Sequence, residues 1–96
     1  MLLLASLRTG PAHGYGVIND LKRRSEGAFD LQEGTIYPAL HRLERRGLIE
    51  SDWSIENGRR RRVYRLTPKG EGALEQQTAA WQSFSRATTR ALGSPA

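Results

Sequence analysis

Three short helical segments, an Asn-Gly hairpin and a final helical stretch of about 25 residues predict a mainly α fold with one small β-hairpin. The arrangement they imply is a winged helix-turn-helix followed by a long C-terminal dimerisation helix. At 96 residues the chain has room for one small body and an appended helix. The expected division is a winged helix-turn-helix over residues 1–67, the dimerisation helix over 68–92 and a disordered tail over 93–96.

The elements follow in order. "MLLLASLRTG" reads as a short helix ending near Gly10, with Pro11 marking the stop. It lacks a basic leader and a small-residue cleavage site, and it is shorter than the roughly 20 apolar residues that cross a bilayer. A soluble, cytoplasmic chain with no membrane partner is therefore expected. Val17, Ile18 and Leu21 stand at helical spacing in a second helix from about Gly14 to Ser25. Its last turn holds Lys22, Arg23 and Arg24, which suit the negative end of a helix dipole. A third helix runs from about Glu33 to Arg46 with Gly47 closing it. Pro38 is expected near its beginning, where a missing N–H costs least. Leu48, Trp53 and Ile55 belong to one arm of a hairpin, and Val63 and Leu66 to the other. Trp53 is expected in the core beneath the wing. Asn57-Gly58 between the arms accepts positive φ, the strongest short hairpin signal. Thr67 then caps a helix with Pro68 in its first position.

Charge narrows the function. Fifteen Lys and Arg face ten Asp and Glu, giving a net charge of +5 and a pI near 10.4. Twelve of the basic residues and eight of the acidic ones fall within residues 1–65, so the excess belongs to the folded body. A domain this basic suggests a polyanionic partner; the competing reading is a merely solvated basic face. There is no cysteine, which excludes disulfides and thiolate metal sites. The two histidines, His13 and His41, lie on different elements, and no carboxylate pair or nucleophile constellation is present. The expectation is a non-enzyme without metal or cofactor.

The third helix offers two faces when projected at about 100° per residue. Ile36, Leu40 and Leu43, with Ala39 beside them, form a buried stripe. Pro38, His41, Arg42 and Arg45 fall opposite, and Thr35 and Tyr37 flank the boundary. Hydroxyl, phenol, imidazole and guanidinium groups can all bond base edges and phosphates. Four successive arginines, Arg59 to Arg62, follow the turn, and alternation prevents them from pointing one way. Some reach outward from the wing tip, where the duplex backbone or minor groove would relieve their mutual repulsion. The DNA-binding candidates are therefore Thr35, Tyr37, Pro38, His41, Arg42 and Arg45 on the helix, and Asn57, Gly58, Arg59, Arg60 and Arg61 on the wing. Tyr15 joins them, either at a phosphate or packed against the third helix. The competing role for the wing charges is to block edge-to-edge sheet aggregation.

Leu74, Trp81, Phe84, Thr88 and Ala91 recur at spacings of seven, three, four and three along the last helix. At about 1.5 Å per residue that helix nears 40 Å, too long for so small a body to cover. A second chain related by a two-fold axis would cover it.

"HGYGVINDL", "EGTIYPALHRLERRGLIES", "ENGRRRRVYRLTPKG" and "WQSFSRA" together resemble the PadR family of bacterial transcriptional regulators, over about residues 2–92. The resemblance implies a homodimer that usually represses transcription by binding a near-palindromic operator in double-stranded DNA. It implies that "GTIYPALHRLE" is the recognition helix and "NGRRR" the wing. It further implies the short branch, in which the single C-terminal helix packs on the partner's first helix. That brings Leu3, Leu4 and Leu7 to the interface with Leu74, Trp81, Phe84, Thr88 and Ala91. Relatives usually carry several residues before the stretch matching "LLLASL", a turn in or near that interface. Some relatives bind flat aromatic effectors between the C-terminal helices; Trp81 and Phe84 either line such a space or simply fill the dimer core. A different class of function is also open, a basic winged-helix adaptor for RNA or an acidic protein.

Overall fold

The computed structural model describes residues 1–93. Its elements are α1 (Leu2–Leu7), β1 (Ala12–His13), α2 (Gly14–Arg24), α3 (Glu33–Arg45), β2 (Ile49–Glu56), β3 (Arg59–Leu66) and α4 (Pro68–Ala91). All the expected elements are present, together with β1, which is too short to leave a periodic signature. It pairs antiparallel with β3, His13 opposite Val63, so that the sheet order is β1-β3-β2. This three-stranded sheet roots the wing on the N-terminus of α2.

The hairpin register runs from Ile49 opposite Leu66 to Glu56 opposite Arg59. Only Asn57 and Gly58 remain in the loop, with φ of 51° and 77°. Two successive positive φ values are what a two-residue turn matching the strand twist requires. This register decides which way each arginine points, because residues directly opposite share a face. Arg60 and Arg62 share a face with Ile49, Ser51, Trp53 and Ile55, while Arg59 and Arg61 fall on the other.

The core gathers Leu4 and Leu7 of α1, Val17 and Leu21 of α2, Ile36 and Leu40 of α3, and Ile49, Tyr64 and Leu74 behind them. Each of these is at most 5% exposed. Burial pushes the Tyr64 phenol above its ordinary range. Leu4, Leu7 and Leu74 were expected on a dimer seam, but the chain buries them itself. The helices α1 and α4 pack together within one protomer, leaving these three no surface for a partner. Trp53 departs in the other direction. It is 56% exposed rather than core, because the body beneath the sheet reaches only as far as the Ser51–Glu44 contact. Pro38 is the sixth residue of α3, not part of its first turn. It gives up one interior hydrogen bond, to the Gly34 carbonyl, on an exposed stretch where water can bind that oxygen instead. Of the tail expected over 93–96, Gly93 is described and the remainder lies outside the described residues.

The "LTPKG" segment locks α4 to the end of α3. The Thr67 hydroxyl donates to the Gly47 carbonyl (2.6 Å) and accepts the Gly70 N–H (3.0 Å). The Thr67 N–H donates to the Leu48 carbonyl (3.2 Å), and Lys69 Nζ donates to the Arg46 carbonyl (2.8 Å). These bonds satisfy helix-end groups that would otherwise be orphaned.

Asp20 ties α1 to α2. It accepts from Ser6 Oγ (2.8 Å), Arg23 (2.7 Å) and Arg24 (3.0 Å). Burial alone would raise its carboxyl, but the hydrogen bonds from Ser6 and Arg24 and the two guanidinium charges outweigh that and hold it below the usual carboxylate range. The folded state therefore binds this proton less readily than the unfolded chain. The resulting stability is present at neutral pH and is lost as pH falls through and below the carboxylate range. Asp20→Asn should cost about 1 kcal/mol at pH 7 in urea unfolding, and the difference from the wild type should shrink on acidification.

Candidate nucleic-acid interface

The wing and α3 line a cleft of about 560 Å³ that combines side chains from five elements. From α3 come Tyr37 and His41, from the start of α2 Tyr15, from β1 His13, and from the hairpin Trp53 with Arg59 to Arg62. Of the residues expected at a DNA surface, Tyr15, Tyr37, His41, Arg59, Arg60 and Arg61 are brought together here. Thr35, Pro38, Arg42 and Arg45 are exposed elsewhere along α3, and Asn57 and Gly58 are exposed at the wing tip. Arg45 shares a shallow depression with His41 and Glu44. Arg42 lies on the far flank, in a groove shared with Met1, Leu2 and Leu3 of the N-terminal segment.

Local chemistry explains how the cleft is held. A Cβ on Gly14 would come within 2.6 Å of the Tyr37 ring, so only glycine lets that ring lie against the start of α2. The Tyr15 hydroxyl donates to Glu33 at the first turn of α3, fastening α2 to α3. This bond, followed by the Glu33 charge, pushes the Tyr15 phenol upward. The packing expected between Tyr15 and the third helix is thus a hydrogen bond on a half-exposed ring. His13 Nδ1 accepts the Gly16 N–H (3.1 Å) and so caps α2. The Arg61 guanidinium lies beside the same ring, 2.9 Å from Nε2.

The arginines differ in how they are neutralised. Arg65 pairs with Glu50 (3.0 Å) and Asp52 (2.8 Å), and the hydrogen bond it donates to Asp52 leads in raising its pKa. Arg62 donates to Ser51 Oγ (2.8 Å) and approaches Glu44 at 3.7 Å. Arg42, Arg45, Arg59, Arg60 and Arg61 form no ion pair among the described residues. Carboxylates thus cancel the cations at the root of the wing and on α2, while those on the exposed face of α3 and toward the wing tip stay without a carboxylate partner among the described residues. His13, Trp53 and Arg62 were not foreseen as part of this surface. Counting back from the Asn-Gly turn would have placed Trp53 opposite Arg62; nothing in the sequence betrays that His13 serves as a cap.

Along α4, Trp81 and Phe84 are 55% and 62% exposed, with ring centroids 6.0 Å apart. Thr88 is half-buried and Ala91 exposed, and Leu3 on α1 is half-buried. The two aromatic rings lie on an open helix surface, against each other. Among the described residues no cluster of His, Asp or Glu could hold a metal, and no helix is long and apolar enough to cross a membrane.

The model of the PadR-like family of transcriptional regulators matches residues 3–76. The chain belongs to this family. A transcriptional regulator of Mycobacterium tuberculosis is 40% identical over 74 residues, 77% of this chain and 66% of that relative. The chain thus spans a little under two thirds of that relative's length. Among solved structures, a PadR family transcription regulator of Clostridium difficile superposes with a TM-score of 0.83 at 32% identity, over 95% of this chain and 94% of the other. Bacillus subtilis PadR in complex with operator DNA gives a TM-score of 0.73 at 26% identity, over 80% of this chain and 44% of the other. PadR-like membership puts the chain among regulators rather than enzymes.

Proposed function

We propose that this PadR-like chain is a sequence-specific DNA-binding regulator that represses transcription as a homodimer on a near-palindromic operator. The observation that carries the reading is the cleft itself, where Tyr37 and His41 of α3 stand beside wing arginines that no carboxylate neutralises. A helix entering the major groove would set the wing against the adjacent backbone, where those charges meet phosphate. The B. subtilis relative held in complex with operator DNA supports the same partner. The exposed Trp81–Phe84 pair, on a helix that continues past the last core contact at Leu74, supports pairing of two copies. Two copies would duplicate the cleft about a two-fold axis, as a palindromic site demands.

The test is to select duplexes from a random library and titrate the best of them against scrambled duplex and single-stranded RNA. Specific binding that survives competitor and falls steeply with salt is the expected result. Equal binding to scrambled duplex, or preference for RNA, would favour a basic adaptor instead. Arg60→Ala should weaken binding to all duplexes alike and flatten the log–log salt slope by about 1. Arg45→Ala, on the exposed face of α3 beside His41, should cost about 1–3 kcal/mol on the selected site and relax its sequence preference.

A further inference from the structure

We propose that Trp53 is a DNA-contact and positioning residue of the wing, holding Arg60 ready for a backbone phosphate and laying its own ring against the sugar of the same strand. The inference rests on the DNA-binding reading above.

Trp53 contributes little to the fold, since its ring is 56% exposed on the hairpin's helix-facing side. Ile55, two residues on and on the same face, is 75% exposed. Two bulky apolar side chains held in water beside the cleft form a surface that burial against a partner would favour. The ring also organises charge. The Arg60 guanidinium carbon lies 4.6 Å from the ring centroid and that of Arg62 lies 5.3 Å from it. Arg62 is held by Ser51 and Glu44, so it is already occupied. Arg60 has no such partner among the described residues; the indole is what holds it. A guanidinium resting on a ring keeps its N–H groups in its own plane, free to bond two phosphate oxygens at once. The stem of Arg60 is long and flexible, so a platform that limits its freedom before binding lowers the cost of ordering it.

The partner chemistry follows from the pair. A bidentate cation beside a flat apolar ring suits a phosphate joined to a sugar, the repeating unit of a nucleic-acid strand. An acidic protein surface would satisfy Arg60 and leave the indole and Ile55 uncovered.

The experiment uses the full chain and the selected duplex, comparing Trp53→Ala, Trp53→Phe, Arg60→Ala and the Trp53→Ala/Arg60→Ala double variant. Trp53→Ala should weaken binding about tenfold, and Trp53→Phe should recover most of that loss. The melting temperature should stay at the wild-type value, because the ring is outside the core. In the Arg60→Ala background the further loss from Trp53→Ala should be clearly smaller, since the two residues act together. The wild-type tryptophan emission should change when duplex is added by clearly more than that of Trp53→Phe, whose remaining emission comes from Trp81. Wild-type affinity in Trp53→Ala, additive losses, or an emission change as large in Trp53→Phe as in the wild type would overturn the inference. A wild type that binds no duplex would instead overturn the DNA-binding reading, and this inference with it.

Discussion

Replacing Trp81 and Phe84 together with aspartate should leave a folded monomer whose affinity for the selected operator is lower by about two to three orders of magnitude. The size of the effect comes from linkage. When two clefts are joined, the second half-site is filled at high effective concentration, and separating them forfeits about 10²–10⁴ in overall affinity. The residues are suited to the test because neither supports the protomer. Both rings are more than half exposed, and Leu74, seven residues before Trp81, is the last core residue of α4. Each aromatic ring newly buried in a dimer contributes on the order of 1.5–3 kcal/mol, and a two-fold interface buries each ring twice. A buried carboxylate without a partner reverses that gain. Sedimentation equilibrium should report one species near the 10.8 kDa chain mass, with helical circular dichroism retained. A variant that remains dimeric would show that the copies pair elsewhere.

Gly70→Ala should destabilise the fold by roughly 3 kcal/mol or more. A Cβ at Gly70 would stand 1.9 Å from the Leu48 carbonyl oxygen and 3.2 Å from Leu66 Cδ2. The obstacle is backbone, and it is fixed from both sides. Leu48 donates to the Leu43 carbonyl (3.0 Å), and its own carbonyl accepts from Thr67 (3.2 Å). The chain can accommodate the methyl only by lifting the first turn of α4 off the α3–β2 junction, which breaks the Thr67 and Lys69 bonds. In a domain this small, whose total stability is of order 5–15 kcal/mol, that shift is a large fraction. Thermal unfolding should show a midpoint lower by about 15 °C. Gly72→Ala is the control: nothing lies within 4 Å of its Cβ, and it should be neutral or slightly stabilising. Equal stability of the wild type and Gly70→Ala would mean that α4 does not sit on Leu48 in this way.

Much of this architecture was legible because local signals agreed. The bounds of α2 and α3 followed from apolar spacing, with Gly47 as the stop of α3, and the hairpin from Asn57-Gly58. The start of α4 followed from Thr67-Pro68. What escaped were features decided across the chain. β1 is two residues long and exists only because β3 offers it an edge. Trp53 looked like core because aromatic residues in short strands usually are. Its exposure depends on where α3 stops supporting the sheet, which sequence does not encode locally. Leu74 belonged to a seam by periodicity, yet it is buried in the core of its own chain, where α1 packs on α4. At the candidate site, the arginines were visible as a run, whereas their division into carboxylate-paired, ring-stacked and bare groups required the register.

The most direct test of the account is a hydroxyl-radical footprint of the full-length protein on the selected duplex, at a concentration that saturates the site. The account predicts two protected stretches on one face of the DNA, symmetric about a centre and separated by one helical turn, about 10 base pairs, or a whole multiple of it. A single unpaired stretch, or uniform protection with no centre of symmetry, would contradict it.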